Sequence, residues 1–378
     1  MLMRKRGRQR QSSRALYMTT AVAVLLFPAS VWAWGSDGHK IVAVIAADNL
    51  TPAAQSHVAS ILGVAADKRS IATAMEKASN LPDDSEFRKK YPDTKPWHFI
   101  DICLRDRRAD VAASCGIKGC VTEKINDYSK RLKEGKYDSW GSQGDLAFLI
   151  HFVGDIHQPL HAANNADEGG NCVMVNAASR AKNLHDAWDY TIVRRLEYSI
   201  DSGRPETTAH KLEKEFAGER ETDSWIPADD IAWESNQIAH SEIYTPLRLP
   251  VEPCQPANAL CSNQPNNEPK VDLDDAYLDH AETIAGHQLA RAGFRLASLL
   301  NGIWAEPVNP NDATGAKPST DPVSSNATAG SFVGNRRSKI YAWPGCGSYN
   351  RMAPQNRVVF ASREAAEQAG YRAALNCR

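Results

Sequence analysis

The sequence lacks any apolar run long enough to cross a bilayer, since its longest, residues 21–27 and 41–47, fall far short of the ~20 residues a spanning helix needs. It has no internal repeat and no sustained alternation of apolar and polar positions, which excludes a solenoid and a large half-buried sheet. Net charge is also nearly missing: 44 Lys and Arg stand against 45 Asp and Glu, for a formal charge of -1. What remains, 378 residues at 42% hydrophobic and 24% charged, is the composition of a globular protein with room for a full core and a small second module.

Acidic residues are absent before Asp37, whereas Arg4, Lys5, Arg6, Arg8, Arg10 and Arg14 crowd the start. These cations, the apolar run and the small-residue pattern Val31-Trp32-Ala33 predict a signal peptide over residues 1–33, cut before Trp34. The mature chain is then expected to be secreted or periplasmic, and losing six cations takes its formal charge to -7. An acidic protein binds polyanions poorly unless something supplies a local positive centre, such as a metal cluster. In an oxidising compartment the eight cysteines are expected as disulfides. Short spacings suggest Cys115 with Cys120, Cys254 with Cys261 and Cys346 with Cys377, leaving Cys103 with Cys172; spacing alone does not prove connectivity.

Apolar residues recur at helical spacing over residues 41–47, 146–153, 184–196 and 277–300, so residues 34–304 are expected to form a mainly α domain. A Pro-, Gly- and Asn-rich stretch reads as a linker over residues 305–337. Residues 338–378 then predict a small α+β module, with strands at 339–343 and 357–360 and a helix over 363–375 capped by Ser362.

Histidine and aspartate carry the chemistry. His151 and Asp155 stand four apart and so share one helix face, and His185 and Asp189 repeat the spacing. Pro159 should end the first helix and free His161 to approach from another direction. One His/Asp pair is most often an ordinary surface pair; two pairs with a histidine between them point to a site. Imidazole and carboxylate ligands without thiolate suit hydrolytic zinc.

The mature start Trp34-Gly35 with a nearby Gly38-His39, then Pro82-Asp83, Trp97-His98-Phe99-Ile100-Asp101, His151-x3-Asp155-x5-His161, Gly169-Gly170-Asn171 and Leu184-His185-x2-Trp188-Asp189 resembles the S1/P1 family of single-strand-specific zinc nucleases. The resemblance implies a helical enzyme, related in fold to zinc phospholipase C, with three Zn2+ ions. One would be held by Asp83, His98, His151 and Asp155, and a second by His161, His185 and Asp189. A third would sit on His39, Asp155 and the amino group and carbonyl oxygen of Trp34. Phe99 and Asp101 match the positions that stack on a base and hydrogen-bond its edge. His157 has no ligand role in the pattern and is expected to be structural.

The sequence departs from the family where a Trp two residues before the ligand aspartate and an Arg three after it are usual: Leu81 and Glu86 occupy those places. Arg88 is the candidate to replace that arginine, which makes Asp83 and Arg88 the candidate catalytic pair. The C-terminal residues resemble the small metal-binding domain of Ada proteins, though only Cys346 and Cys377 remain of its four cysteines, so a disulfide-stapled relic is expected there.

The expectation is an exported endonuclease, acting on single-stranded DNA and RNA and on nucleotides and leaving 5'-phosphates, with 3'-nucleotidase activity. It should be a monomer without stable membrane association. Zinc phospholipase C and a non-catalytic zinc- or nucleic-acid-binding protein are the alternatives. If the Trp34 amine is a ligand, it exists only after cleavage behind Ala33. A form extended by one residue before Trp34 should therefore fold yet lose a metal and most activity. Mass spectrometry of the N-terminus beside zinc counts on both forms checks this, and a fully metallated, fully active extended form rules it out.

Overall fold

A computed structural model describes residues 34–176, 181–201, 203–220, 222–254, 270–305, 332–336, 339–343, 357–360 and 363–373. The proposed signal peptide, Cys261, Cys346, Cys377 and Ser362 lie outside them. The fold is mainly α, as the periodicity predicts. Helices run α1 (Gly35–Asp48), α2 (Pro52–Leu62), α3 (Lys68–Ser79), α4 (Ser85–Lys90), α5 (Val121–Glu134), α6 (Gly141–Ile156), α7 (Leu184–Asp186), α8 (Ile192–Asp201), α9 (Pro205–Glu215), α10 (Ala228–Ile238), α11 (Asp275–Ile303) and α12 (Arg363–Gln368).

Local signals set the ends. Thr51 caps α2 ahead of Pro52, Asp67 accepts from Ser70 N at the start of α3, and Asp274 accepts from Tyr277 N at 2.8 Å to open α11. Ile156 ends α6 three residues ahead of Pro159, which opens a 3-10 turn, Pro159–Ala162. From Gly144 to Ile156 every residue of α6 is buried, so this helix is apolar all round and must run through the core. The apolar run of α1 packs against α3, α9 and α11, and α6 against α3, α5 and α11. The two helices that carry the first histidines are therefore central ones.

Two short strands, β1 (Val175–Asn176) and β2 (Val271–Asp272), pair in parallel, Val175 opposite Val271. The remaining strands are β3 (Phe332–Asn335), β4 (Ile340–Ala342), β5 (Arg357–Phe360) and β6 (Arg372–Ala373), in the order β5-β3-β4-β6. They enclose a separate small core of Tyr341, Ala366 and Tyr371. Strand β3 lies inside the stretch read as linker. The helix expected to reach residue 375 stops at Gln368, because Gly370 takes φ 78° and turns the chain into β6.

The disulfides correct two expected pairings. Cys115 does bond Cys120, but Cys103 bonds Cys254, which leaves neither the Cys254–Cys261 nor the Cys103–Cys172 pairing; Cys172 is itself disulfide-bonded. The physical reason is tertiary. Residues 250–254 return beside residues 103–105 and 164–165, where Arg105 Nε donates to Val251 O, Asn165 Nδ2 to Pro250 O, and Glu252 N to Asn165 Oδ1. Proximity in sequence carried no information about that return.

Cys103 and Cys254 are 151 residues apart, so the bridge removes much unfolded-chain entropy. Replacing both by alanine should cost about 5 kcal/mol of stability on the loop-entropy relation, read as a lower denaturant midpoint, while Cys115→Ala with Cys120→Ala, closing five residues, should cost less. Equal losses would contradict the loop-length argument.

Candidate metal centre

The centre is assembled from segments distant in sequence. His39 comes from α1, and Asp83 from the 3-10 turn Leu81–Asp83. His98 ends a second such turn, Pro92–His98, and His151 and Asp155 come from one face of α6. His161 lies in the turn after α6, His185 in α7, and Asp189 in a π-helical turn, Ala187–Thr191. All eight are buried, none more than 5% exposed.

Asp155 is the hub. Its Oδ2 lies 3.0 Å from His98 Nδ1 and 3.3 Å from His151 Nε2, and its Oδ1 lies 3.4 Å from His39 Nε2. Asp83 Oδ1 is 3.8 Å from both His98 Nδ1 and His151 Nε2. The His39 ring stacks on His151 with centroids 3.9 Å apart. Beside them His185 Nε2 is 3.3 Å, and His161 Nε2 4.0 Å, from the Asp189 carboxylate. Metal-binding geometry is met by His39, Asp83 and His151, by His98, His151 and Asp155, and by His161, His185 and Asp189. The structure thus gathers every expected histidine and aspartate ligand, and places His39 against the Asp83 set as well as beside Asp155.

Backbone carbonyls hold the rings. His151 Nδ1 donates to Ser79 O at 2.7 Å, His161 Nδ1 to His98 O at 2.8 Å, and His185 Nδ1 to Gly169 O at 2.7 Å. A carbonyl only accepts, so the proton sits on Nδ1 and each Nε2 lone pair faces inward. His161 Nε2, His185 Nε2, His98 Nε2, Asp83 Oδ2 and Asp155 Oδ1 are buried and make no hydrogen bond. Buried polar atoms without a hydrogen bond are costly in a finished core; Asp83 Oδ2, Asp155 Oδ1, His161 Nε2 and His185 Nε2 are of the kind zinc takes, while the His98 atom that faces the other donors is Nδ1. The residues present fit the metal.

Electrostatics agree. Burial, countered in part by His39 and Arg88, pushes Asp83 up to about 6, and burial pushes Asp155 up to about 7. Burial also holds His151 and His161 well below the usual histidine range. For His185 burial acts in the same direction, but the Asp189 carboxylate outweighs it and the pKa rises. Two glycines make room. A Cβ on Gly154 would stand 2.8 Å from His39 Nδ1, and one on Gly169 would stand 2.5 Å from Leu160 O in a backbone already at φ 63°.

The other expected residues fall as follows. Trp34 is fully buried and donates Nε1 to Gly154 O at 2.9 Å, which fixes it beside Asp155. Arg88, in α4, reaches Asp83 Oδ1 with Nη1 at 3.4 Å, and Glu86 pairs with Lys89. Phe99 is half-buried and stands outside the core cluster. Asp101 is exposed; desolvation and the carboxylates of Glu168 and Asp167 push it up to about 6, a rise its exposure should temper. His157 is structural as expected, donating Nδ1 to Val153 O with Arg295 3.3 Å from Nε2. Asn171 lies in a turn, its amide donating to Glu168 O. His57 stacks on Trp304, and His210, His280 and His287 pair with Asp48, Glu242 and Glu219, away from the centre.

Four contributors carried little or no sequence signal. Ser79 and Gly169 act through carbonyls, which no side chain advertises. Gln158 Nε2 donates to Asp189 Oδ1 at 2.7 Å, and only its place between His157 and His161 pointed to it. The half-buried ring of Tyr190 lies over Gly35, next to Asp189.

Comparison with known proteins agrees with this geometry. Residues 34–305 match the family model described as S1/P1 Nuclease, and residues 323–378 match the metal-binding domain of Ada. The chain is similar to Endonuclease 2 of Arabidopsis thaliana, 29% identical over 300 residues that cover 76% of this chain and 96% of the relative. It is similar to Nuclease S1 of Aspergillus oryzae, 27% identical over 76% and 97% of the two chains. Nuclease P1 of Penicillium citrinum is 27% identical over 71% and 97%.

A pH dependence follows for protein stripped of metal. Asp83 and Asp155 are raised above their unfolded value of about 4, so between about pH 4 and 7 the folded state holds more protons at these two carboxyls, whereas below about pH 6.5 buried His151 and His161 hold fewer than in the unfolded chain. Stability contributed by the two carboxyls should be lost as pH rises through about 6 to 7. Metal-loaded protein should show the opposite slope, because ligands must shed protons to bind. Denaturant midpoints from about pH 6.5 to 8, above the range in which the unfolded histidines take up protons, with and without chelator test the pair of signs; a stripped form that gains stability over this range would contradict it.

Proposed function

The chain belongs to the S1/P1 nuclease family and is a nuclease, and we propose that it is an exported, zinc-dependent enzyme that cleaves single-stranded DNA and RNA to 5'-phosphorylated products and removes 3'-phosphates from nucleotides. The observation that carries the zinc reading is the cluster of buried imidazole nitrogens and carboxylate oxygens around Asp155 and Asp189, with three imidazoles already turned inward by carbonyls. Three ions fit the donor count: Asp83, His98, His151 and Asp155; His161, His185 and Asp189; and His39, Asp155 and Trp34. Zinc bound there supplies Lewis acidity toward water and toward phosphodiester oxygens.

The protein's own residues do the rest. Arg88, 17% exposed, places a guanidinium at the edge of the centre, where charge develops on a transferring phosphoryl group. The Phe99 ring, outside the core, offers a stacking face, and the Asp101 carboxylate beyond it an acceptor for a base edge. A base inside a duplex presents neither its face nor that edge to them, and this supports single-strand preference. Among the described residues no helix is long and apolar enough to cross a membrane.

Asp155→Asn should abolish cleavage and lower zinc content, because a neutral amide leaves the cations short of a counter-charge. Arg88→Ala should cut turnover on denatured DNA roughly ten- to a thousandfold with zinc retained. Metal analysis beside assays on denatured DNA, duplex DNA and phosphatidylcholine decides the matter. Full activity and full zinc in Asp155→Asn would overturn the metal assignment, and preferred hydrolysis of phosphatidylcholine would overturn the substrate.

A further inference from the structure

On α3, Arg69, Thr73 and Lys77 stand four residues apart and are all exposed. They line one wall of a groove of about 760 Å³ whose other wall includes Gln143 and Ala147 of α6, and no carboxylate lines it. Neither Arg69 nor Lys77 forms an ion pair among the described residues; exposed Asp67 is the carboxylate that feels Arg69. In a mature chain of formal charge -7, an unpaired basic stripe beside a groove is against the general trend of the surface.

Several residues that line the groove neighbour residues of the centre along the chain. Ala78 lines it and precedes Ser79, whose carbonyl orients His151; Ala147 lies one turn before His151 on α6; and Leu81 stands two residues from Asp83. Leu81 and Gln143 also line an adjoining pocket of about 470 Å³ that contains the half-buried rings of Tyr91 and Trp140, 4.5 Å apart and edge to face. From Arg69 to Lys77 the helix rises about 12 Å. That spans several phosphates of a strand, which recur every ~3.4 Å when stacked and farther apart when extended.

We propose that this groove is a secondary subsite for the substrate strand: Arg69 and Lys77 hold backbone phosphates away from the scissile bond, and the Tyr91–Trp140 pocket receives a flanking base. The inference rests on the nuclease reading. It joins the two devices that single-strand binding uses without sequence choice, a basic track and aromatic faces. Its occupant is fixed by charge complementarity and by the lining residues that neighbour those of the centre. None of these residues is a proposed ligand, so the track can be altered without touching the metal.

The test uses metal-loaded protein and an Arg69→Ala/Lys77→Ala variant with three probes: a phosphorothioate oligothymidylate 12-mer for binding, an unmodified 12-mer, and a thymidine dinucleotide for cleavage. Losing two phosphate contacts should lower the slope of log affinity against log salt by about 1.4. KM for the 12-mer should rise about tenfold at low salt, with dinucleotide cleavage unchanged within about twofold. An unchanged salt slope, or equal losses on 12-mer and dinucleotide, overturns the subsite. Failure of the wild type to cleave either substrate overturns the nuclease reading instead, and the binding slope still decides whether the groove holds a strand.

Discussion

Everything in the centre depends on keeping the Asp155 carboxylate out of water. A buried carboxylate is tolerated only if charge and hydrogen bonds surround it, and here three imidazoles do so within 3.4 Å. That demand dictates the neighbouring architecture. Helix α6 must be apolar all round to pass through the core, Gly154 must lack a side chain so that α1 can bring His39 close, and Pro159 must end the helix so that His161 turns back toward it. The same burial that raises Asp155 and Asp83 makes the site unfavourable without a cation and strong with one. In a low-dielectric pocket an ion is attracted more strongly, and bound water polarised more strongly, than on the surface.

The sequence made the ligands legible because two helices repeat one spacing. His151 with Asp155 and His185 with Asp189 share a face by helical geometry alone, and residues such as Pro159 announce where direction changes. Helix ends were similarly open to reading from Thr51, Asp67 and Asp274. The carbonyls of Ser79 and Gly169 were hidden because a backbone oxygen is the same in every residue, and which one meets an imidazole is decided only by tertiary packing. The Cys103–Cys254 bridge was hidden for the same reason. Nearness along the chain favoured Cys261, while the return of residues 250–254 beside Asn165 favoured Cys103. Strand β3 was missed inside a Gly- and Pro-rich stretch because its four residues offer too short an alternation to register.

The most informative disagreement between the chain and its family lies at positions 81 and 86. Losing an arginine three residues after the ligand aspartate should leave a transferring phosphoryl group short of a cation. The short helix α4 resolves this: Arg88 stands five residues after Asp83, and the single turn between them, capped by Asp84 accepting from Glu86 N and Phe87 N, folds its guanidinium back to within 3.4 Å of the ligand. An arginine two positions further on therefore still brings a guanidinium beside Asp83. Leu81, in the family's tryptophan position, is 39% exposed and lines both the groove beside the basic face of α3 and the pocket of the Tyr91–Trp140 rings. A bulkier indole there would narrow the space that those two features share.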